Sequence, residues 1–240
     1  MQFKIYPDYQ QLSKATADLI IEYIQNKKKS LVCIASGHTP VGVFKCLVDA
    51  VRAGHLDLIE STFLSLDEWL GIDPSDSGSC LSMLKRDFFD HLSLATDQIE
   101  FFNVHAADLN KECERINDLI SAHGGLDIML VGVGTNGHIG MNEPGTSFDS
   151  YAHIGELAEE TKAVGQKYFE KATVLSKGAT LGLRHFREAV LPILMANGEK
   201  KAEIVYRALT ITPQEEVPAS IIQLIPQGYV MVDKEAGAKF

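Results

Sequence analysis

Along this chain, short apolar runs alternate with stretches whose apolar residues recur at helical spacing. The runs are LVCIA (31–35), FLSL (63–66), IEFFNV (99–104), DIMLVGV (127–133), ATLGL (179–183), LPILMA (191–196) and YVMVD (229–233). Their lengths and their β-branched or aromatic content predict buried strands. Leu12, Ala15, Leu19, Ile20 and Tyr23 share one face of a predicted helix that Asp8 can cap and that runs to about Ile24. Val41, Phe44, Leu47, Val48 and Val51 do the same over 40–53, with Pro40 in the first turn and Gly54 at the end. Further helices are predicted over 80–91, from Asp108 to His123, over 157–169, over 199–209 and, bounded by proline, near 218–224. GIDPSDSGS (71–79) is a turn-rich loop. Strands separated by helices imply an α/β fold: a doubly wound, mainly parallel sheet with helices on both faces. No linker composition divides the 240 residues, so the chain reads as a single domain.

Composition excludes several classes of partner. Lys and Arg number 22 against 32 Asp and Glu, and the net charge of −10 argues against a nucleic-acid surface. An acidic chain can still bind an anion in a locally prepared pocket of backbone amides and isolated cations. The cysteines, Cys33, Cys46, Cys80 and Cys113, form no CxxC pair and are expected as reduced thiols of a cytoplasmic protein. The start, MQFKIYPDYQQ, lacks signal-peptide character, and no apolar stretch approaches the ~20 residues of a membrane span. The histidines show no compact ligand pattern such as HExxH, so no metal is expected, and there is no GxSxG serine elbow.

In such sheets, ligands bind beyond the carboxyl ends of strands. One of those ends, LVGVGTNGHIGMNEPG (130–145), contains the GxGxxG spacing of a dinucleotide-binding turn. That reading requires a helix after Gly137, and Gly140, Pro144 and Gly145 break it. The glycines then serve to turn the backbone tightly around a ligand. The same stretch holds His138, which titrates near neutrality, and Glu143, which can fix its tautomer and raise its basicity. Asn136 can orient the ring without adding charge. The alternative is a histidine that merely bonds a loop carbonyl.

Three other strand ends carry candidates. In IASGHTP (34–40), Ser36, Gly37, His38 and Thr39 offer amides and hydroxyls at a helix start, an anion site in outline or an ordinary cap. In SLDEWLG (65–71), Asp67 and Glu68 precede Trp69 at a strand end; partial burial would suit one acid as a general base, while a solvated turn or a helix cap is the bland reading. In NGEKKAE (197–203), Lys200 or Lys201 can reach a phosphate as a point charge, or belong to a solvated charge run.

Together these motifs resemble the glucosamine/galactosamine-6-phosphate isomerase (deaminase) family. The most specific blocks are LDEWLG and GTNGHIGMNEPG, with ASGHTP, ATLGL, NGEKKA and VPASIIQL in support, over nearly the whole chain. LDEW, ECERIN…GGLD and GATLGL look more like the galactosamine branch. The resemblance implies a Rossmann-like fold and conversion of a 2-amino-2-deoxyhexose 6-phosphate to a ketohexose 6-phosphate and ammonia, with no cofactor. It implies that Asp67 moves a proton from C2 to C1, that His138 protonates the ring oxygen and that Glu143 tunes His138. It implies phosphate binding by residues 36–39, Lys201 and Lys167, the last placed by TKAVGQKYF. Well-known family members carry Asp at the position of Asn136 and Arg at that of Lys167, which would weaken charge support and the phosphate grip. The short tail leaves hexamer formation and allosteric activation unexpected; a monomer or small homo-oligomer is expected. The expected partner is a small sugar phosphate, with no nucleic acid and no membrane. The alternatives are a 6-phosphogluconolactonase-like hydrolase, which would not need an Asp67 shuttle, and a non-catalytic sugar-phosphate sensor.

Overall fold

A computed structural model describes residues 1–240. Its strands are β1 (Gln2–Tyr6), β2 (Leu31–Ile34), β3 (Thr62–Ser65), β4 (Asp67–Trp69), β5 (Ile99–Glu100), β6 (Ile128–Val131), β7 (His153–Glu156), β8 (Lys177–Thr180), β9 (Leu191–Ala196) and β10 (Tyr229–Asp233). Its helices are α1 (Tyr9–Asn26), α2 (Val41–Arg52), α3 (Cys80–Asp87), α4 (Leu109–Ala122), α5 (Glu159–Gly165), α6 (Leu183–Glu188) and α7 (Ala202–Thr210). Seven strands form one sheet in the order β1-β10-β9-β6-β2-β3-β5, and every pairing in it is parallel.

The alternation of side chains across these strands builds two cores. Leu31, Cys33, Met129, Val131, Leu194 and Val230 pack on one face, with Cys113, Ile116 and Ile120 of α4 and Ile204, Val205 and Ala208 of α7. Val32, Ile34, Ile128, Leu130, Ile193 and Met231 pack on the other, with Leu12, Ile20 and Ile24 of α1 and Phe44, Leu47 and Val48 of α2. Both faces being covered explains why these strands read as continuous apolar runs. The caps also fall where the sequence puts them. Asp8 accepts the Gln11 N–H at 2.8 Å and Asp108 accepts the Asn110 N–H at 3.0 Å.

From β2 the chain winds outward to β3 and β5, then returns to the opposite side of β2 as β6 and winds away through β9 and β10. The direction of winding therefore reverses between β2 and β6. The loops leaving their carboxyl ends flank that switch point, where open α/β sheets hold ligands.

A second, antiparallel sheet, β4-β8-β7, stands over this end of the molecule. It corrects the sequence reading in three places. ATLGL is not a strand over 179–183: the strand is Lys177–Thr180, and Leu183 already opens α6. Gly182 allows that bend, because a Cβ there would lie 2.1 Å from the Ser150 carbonyl oxygen. Asp67–Trp69 is a strand in its own right, beyond the strand end expected at Leu66. His153–Glu156 pairs with β8 although its composition shows no apolar run. Other elements are trimmed. The strand expected over 99–104 survives only as Ile99–Glu100 at the sheet edge, and the helix near 218–224 is of the tighter 3₁₀ type. No helix is long and apolar enough to cross a membrane.

Candidate active site

The loops after β2 and β6, the strand β4 and the segments before α7 and around α5 enclose one cavity of about 820 Å³. Ser36, Gly37, His38, Thr39, Asp67, His138, Lys167 and Lys201 all line it. Asn136 and Glu143 do not; they stand behind His138.

At one end lies the turn 36–39. Gly37 has φ +87°, a left-handed conformation that favours glycine, and the Tyr168 hydroxyl would lie 3.0 Å from a Cβ there. The amides of Ser36, Gly37, His38 and Thr39 meet no backbone carbonyl. Nor do Ser36 and Thr39 cap α2, whose start has no side-chain cap. Tyr9 of α1 holds the turn instead, its hydroxyl donating to the Thr39 carbonyl at 2.9 Å and accepting the Gly42 N–H at 2.8 Å. Four unspent donors at the positive end of α2 form a ready anion site. His38 contributes its backbone and a ring stacked on Tyr168, with centroids 5.4 Å apart. Lys201 lines the same cavity, its Nζ donating to the Val133 carbonyl at 2.7 Å. Burial and the neighbouring Lys167 lower its pKa. The loop bearing Lys201 is held by Asp233 of β10, whose carboxylate accepts the Gly198 N–H at 3.0 Å.

At the other end lies Asp67. Alternation along β4 turns Asp67 and Trp69 to the cavity and sends Glu68 the opposite way. Glu68 accepts N–H bonds from Cys80 and Leu81, each at 2.9 Å, and so anchors the start of α3. The paired acids thus divide: Glu68 is a helix clamp, and Asp67 faces the void. Burial pushes the Asp67 carboxyl up to about 7, opposed by the thiol of Cys80 and assisted by the charge of Glu68. Gly140, at φ +59°, brings the loop carrying His138 against the acid: a Cβ there would lie 3.2 Å from Asp67 Oδ2.

His138 is fixed from behind. Its Nδ1 lies 2.7 Å from Asn136 Oδ1 and 3.1 Å from Thr161 Oγ1. Asn136 donates from Nδ2 to Glu143 Oε2 at 2.9 Å, which orients its Oδ1 toward the ring. Glu143 itself is 3.7 Å from Nδ1, too long for a hydrogen bond. Burial lowers the pKa of His138, with the charge of Glu143 pulling the other way, so the resting ring is neutral at pH 7. Gly132, Gly134 and Gly140 of the glycine turn line the cavity, and Gly134 also makes room for the imidazole, since a Cβ there would lie 2.1 Å from Cε1. No group of three or more His, Cys, Asp or Glu side chains is arranged to hold a metal ion.

Sequence reasoning overlooked Thr161, Tyr168, Cys80 and the wall position of Trp69. Only the last had a local signal, since Trp69 follows Asp67 at strand period. The others meet the site through α3, α5 and the turn after α5, contacts that spacing cannot reveal.

The family described as glucosamine-6-phosphate isomerases/6-phosphogluconolactonase matches residues 7–230. A glucosamine-6-phosphate deaminase of Bacillus pumilus is 34% identical over 234 residues, covering 97% of each chain. A second, from Bacillus velezensis, is 37% identical over 229 residues, covering 95% of each. A solved monomeric glucosamine-6-phosphate deaminase superposes with a TM-score of 0.95 at 32% identity, covering 99% of both chains. The 6-phosphogluconolactonase of Trypanosoma brucei, at 17% identity and a TM-score of 0.77, shares the fold.

Proposed function

The chain belongs to the glucosamine-6-phosphate isomerase/6-phosphogluconolactonase family, and from that premise we propose that it converts a 2-amino-2-deoxyhexose 6-phosphate to a ketohexose 6-phosphate and ammonia. One observation carries the reading: a carboxyl held near pKa 7, a buttressed imidazole and an array of unspent amides with two lysines line the same cavity. The whole of residues 1–240 acts in this reading as one cytoplasmic sugar-phosphate domain, as a monomer or a small homo-oligomer.

The phosphate sits on the amides of Ser36, Gly37, His38 and Thr39, with Lys201 and Lys167 supplying positive charge. Binding energy from this remote group positions C1 and C2 at the other end. His138 opens the ring. Because its resting form is neutral with Nδ1 engaged, Nε2 accepts the proton of the anomeric hydroxyl and delivers it to the ring oxygen, leaving an aldehyde at C1. Asn136 and Glu143 fix the tautomer and stabilise the imidazolium formed in passing. With C1 a carbonyl, the C2 proton becomes acidic and Asp67 removes it. The oxygen at C1 takes a proton from the substrate's own ammonium as the enolamine forms, and Asp67 returns the C2 proton to C1, leaving an iminium at C2. Water then adds to the iminium at C2, ammonia leaves and the ketone remains. Asp67 suits both halves of this shuttle, since a carboxyl with pKa near the working pH can accept and return a proton.

Ammonia release, measured with glucosamine 6-phosphate and galactosamine 6-phosphate offered separately, tests the reading. Hydrolysis of 6-phosphogluconolactone without ammonia release from either amino sugar would overturn it in favour of the lactonase alternative.

A further inference from the structure

Tyr168 brings a free hydroxyl into the cavity between its two ends. The residue lines the void, and its hydroxyl is bonded to no group of the protein and is not sealed from the cavity. The oxygen stands against the turn 36–39, since it would lie 3.0 Å from a Cβ at Gly37. It also feels the base at the other end: burial raises its pKa to about 12, with Cys80 and Asp67 adding to the rise. The group therefore stays an O–H donor at neutral pH. Its seat is rigid. The ring stacks on His38, with centroids 5.4 Å apart. The next residue, Phe169, meets Trp69 edge to face at 6.2 Å and fills the space left by Gly78, where a Cβ would lie 2.5 Å from its Cδ1. Gln166 closes the segment behind, accepting the Thr173 N–H at 3.1 Å. A hydroxyl held this way is a pre-positioned polar group in the wall, the arrangement by which binding sites fix the orientation of a ligand.

We propose that the Tyr168 hydroxyl donates to the oxygen on C4 of the sugar, which makes Tyr168 a specificity-determining residue of the site. The inference rests on the hexosamine 6-phosphate reading above. Asp67 works at C2, and the turn 36–39 holds the phosphate on C6. C4 is the carbon midway between them, and the hydroxyl stands where both ends are felt, against Gly37 of the turn and within the field of Asp67. Lys167 lies over the Tyr168 ring, 5.0 Å from its centroid. The cation thus sits on the ring while the hydroxyl feels Asp67, which directs the hydroxyl to the sugar rather than to the phosphate. Configuration at C4 is what separates glucosamine from galactosamine, so a donor fixed in place there meets the C4 oxygen of one and misses that of the other. A site built to bond a hydroxyl discriminates strongly against the analogue that lacks it.

The test compares wild type and Tyr168→Phe, which keeps the ring and its stack on His38, on whichever amino sugar 6-phosphate is turned over and on its 3-deoxy and 4-deoxy analogues. Tyr168→Phe should lower kcat/KM about tenfold on the parent and on the 3-deoxy sugar, and this penalty should vanish on the 4-deoxy analogue. The preference between glucosamine and galactosamine 6-phosphates should narrow by a similar factor. A penalty equal on all three sugars, absent from all of them or relieved only on the 3-deoxy analogue would overturn the proposal, as would an unchanged preference between the two epimers. Competitive inhibition by inorganic phosphate should be the same in both proteins; a weakening in Tyr168→Phe would assign the hydroxyl to the phosphate and overturn it as well. One measurement needs no variant: wild type should lose about tenfold in kcat/KM on the 4-deoxy analogue, and full activity on that analogue would overturn the proposal. Absence of ammonia release by the wild type from either hexosamine 6-phosphate would remove the underlying reading, and the proposal with it.

Discussion

Asn136 holds the imidazole of His138 through a 2.7 Å contact between Oδ1 and Nδ1, while the carboxylate of Glu143 stands 3.7 Å from the ring and bonds the far side of the same amide. The negative charge reaches the ring through a neutral spacer. A carboxylate in direct contact would favour the imidazolium strongly. Here burial prevails and the ring rests neutral, which suits a group that must first accept a proton from the sugar.

Glu143→Gln should disable this arrangement. A glutamine can present an NH₂ to Asn136 Nδ2, and either amide must then turn. If Asn136 turns, His138 Nδ1 loses its acceptor and the tautomer is no longer fixed. A fall in kcat of about 10–100-fold is expected, with KM little changed because the phosphate contacts are untouched. On an open-chain substrate analogue the loss should be much smaller. Steady-state kinetics on both substrates check this; equal losses would remove the ring-opening role of His138.

The pH profile should report Asp67. Its carboxyl must be ionised to take the C2 proton, and burial holds it at about 7, so kcat/KM should fall as pH drops through 7 rather than through the ordinary carboxylate range. The thiol of Cys80 opposes that rise. Removing it in Cys80→Ala should move the acid limb upward by about one pH unit, while Cys80→Ser, which keeps a donor, should leave it close to wild type. An acid limb near pH 4 in the wild type would show that another group is the base.

The same buried carboxyl should cost stability. Its folded pKa lies above the unfolded value, so the folded state holds the proton more tightly between pH 4 and 7. Stability from this group is fully present below about pH 4, declines as pH rises and is lost above 7. The shift corresponds to a few kcal/mol. Asp67→Asn should therefore abolish turnover yet melt above wild type at pH 8, and the gain should disappear at pH 4. Thermal melts at the two pH values decide it; a destabilised Asp67→Asn at pH 8 would contradict the burial account.

Much of this architecture was legible because burial on both faces writes itself into composition: β2, β6, β9 and β10 are apolar at nearly every position. The strands that escaped notice lack that signature. β1 lies at the sheet edge and is largely exposed, and β7, HIGE, is only partly buried. β4 was noticed only as DEW at a strand end, and a general base, a solvated turn and a helix cap all stayed open because neither acid shows what it faces. The site was legible as loops and not as contacts. That Ser36, Asp67 and His138 share a cavity follows from the winding reversal between β2 and β6. That Thr161 meets His138, or that Glu68 clamps α3, depends on packing that no local pattern encodes.

Lys201→Ala tests the anion end of the cavity. The ammonium lines the same cavity as the unspent amides of 36–39, and its pKa is lowered by burial and by Lys167, so it is poised to gain from an incoming dianion. Its removal should raise KM about tenfold or more and leave kcat within a few-fold, because the group binds the remote phosphate alike in ground and transition states. Competitive inhibition constants for inorganic phosphate should weaken in parallel.

Gly134→Ala isolates the geometry of the histidine. Gly134 has no positive φ, so alanine meets no backbone strain there. The nearest collision is with the imidazole, whose Cε1, Nδ1 and Nε2 would lie 2.1, 2.3 and 2.5 Å from the new Cβ. The ring must swing off its bonds to Asn136 and Thr161 and into the cavity. Because a displacement of about 1 Å can cost about 100-fold in rate, kcat should fall at least that far, while the melting temperature changes little, since the ring can move into open space. A titration of His138 followed by NMR should move toward the ordinary imidazole pKa as the ring leaves its buried seat. Retention of full activity in Gly134→Ala would mean that the bonded position of His138 is not the working one.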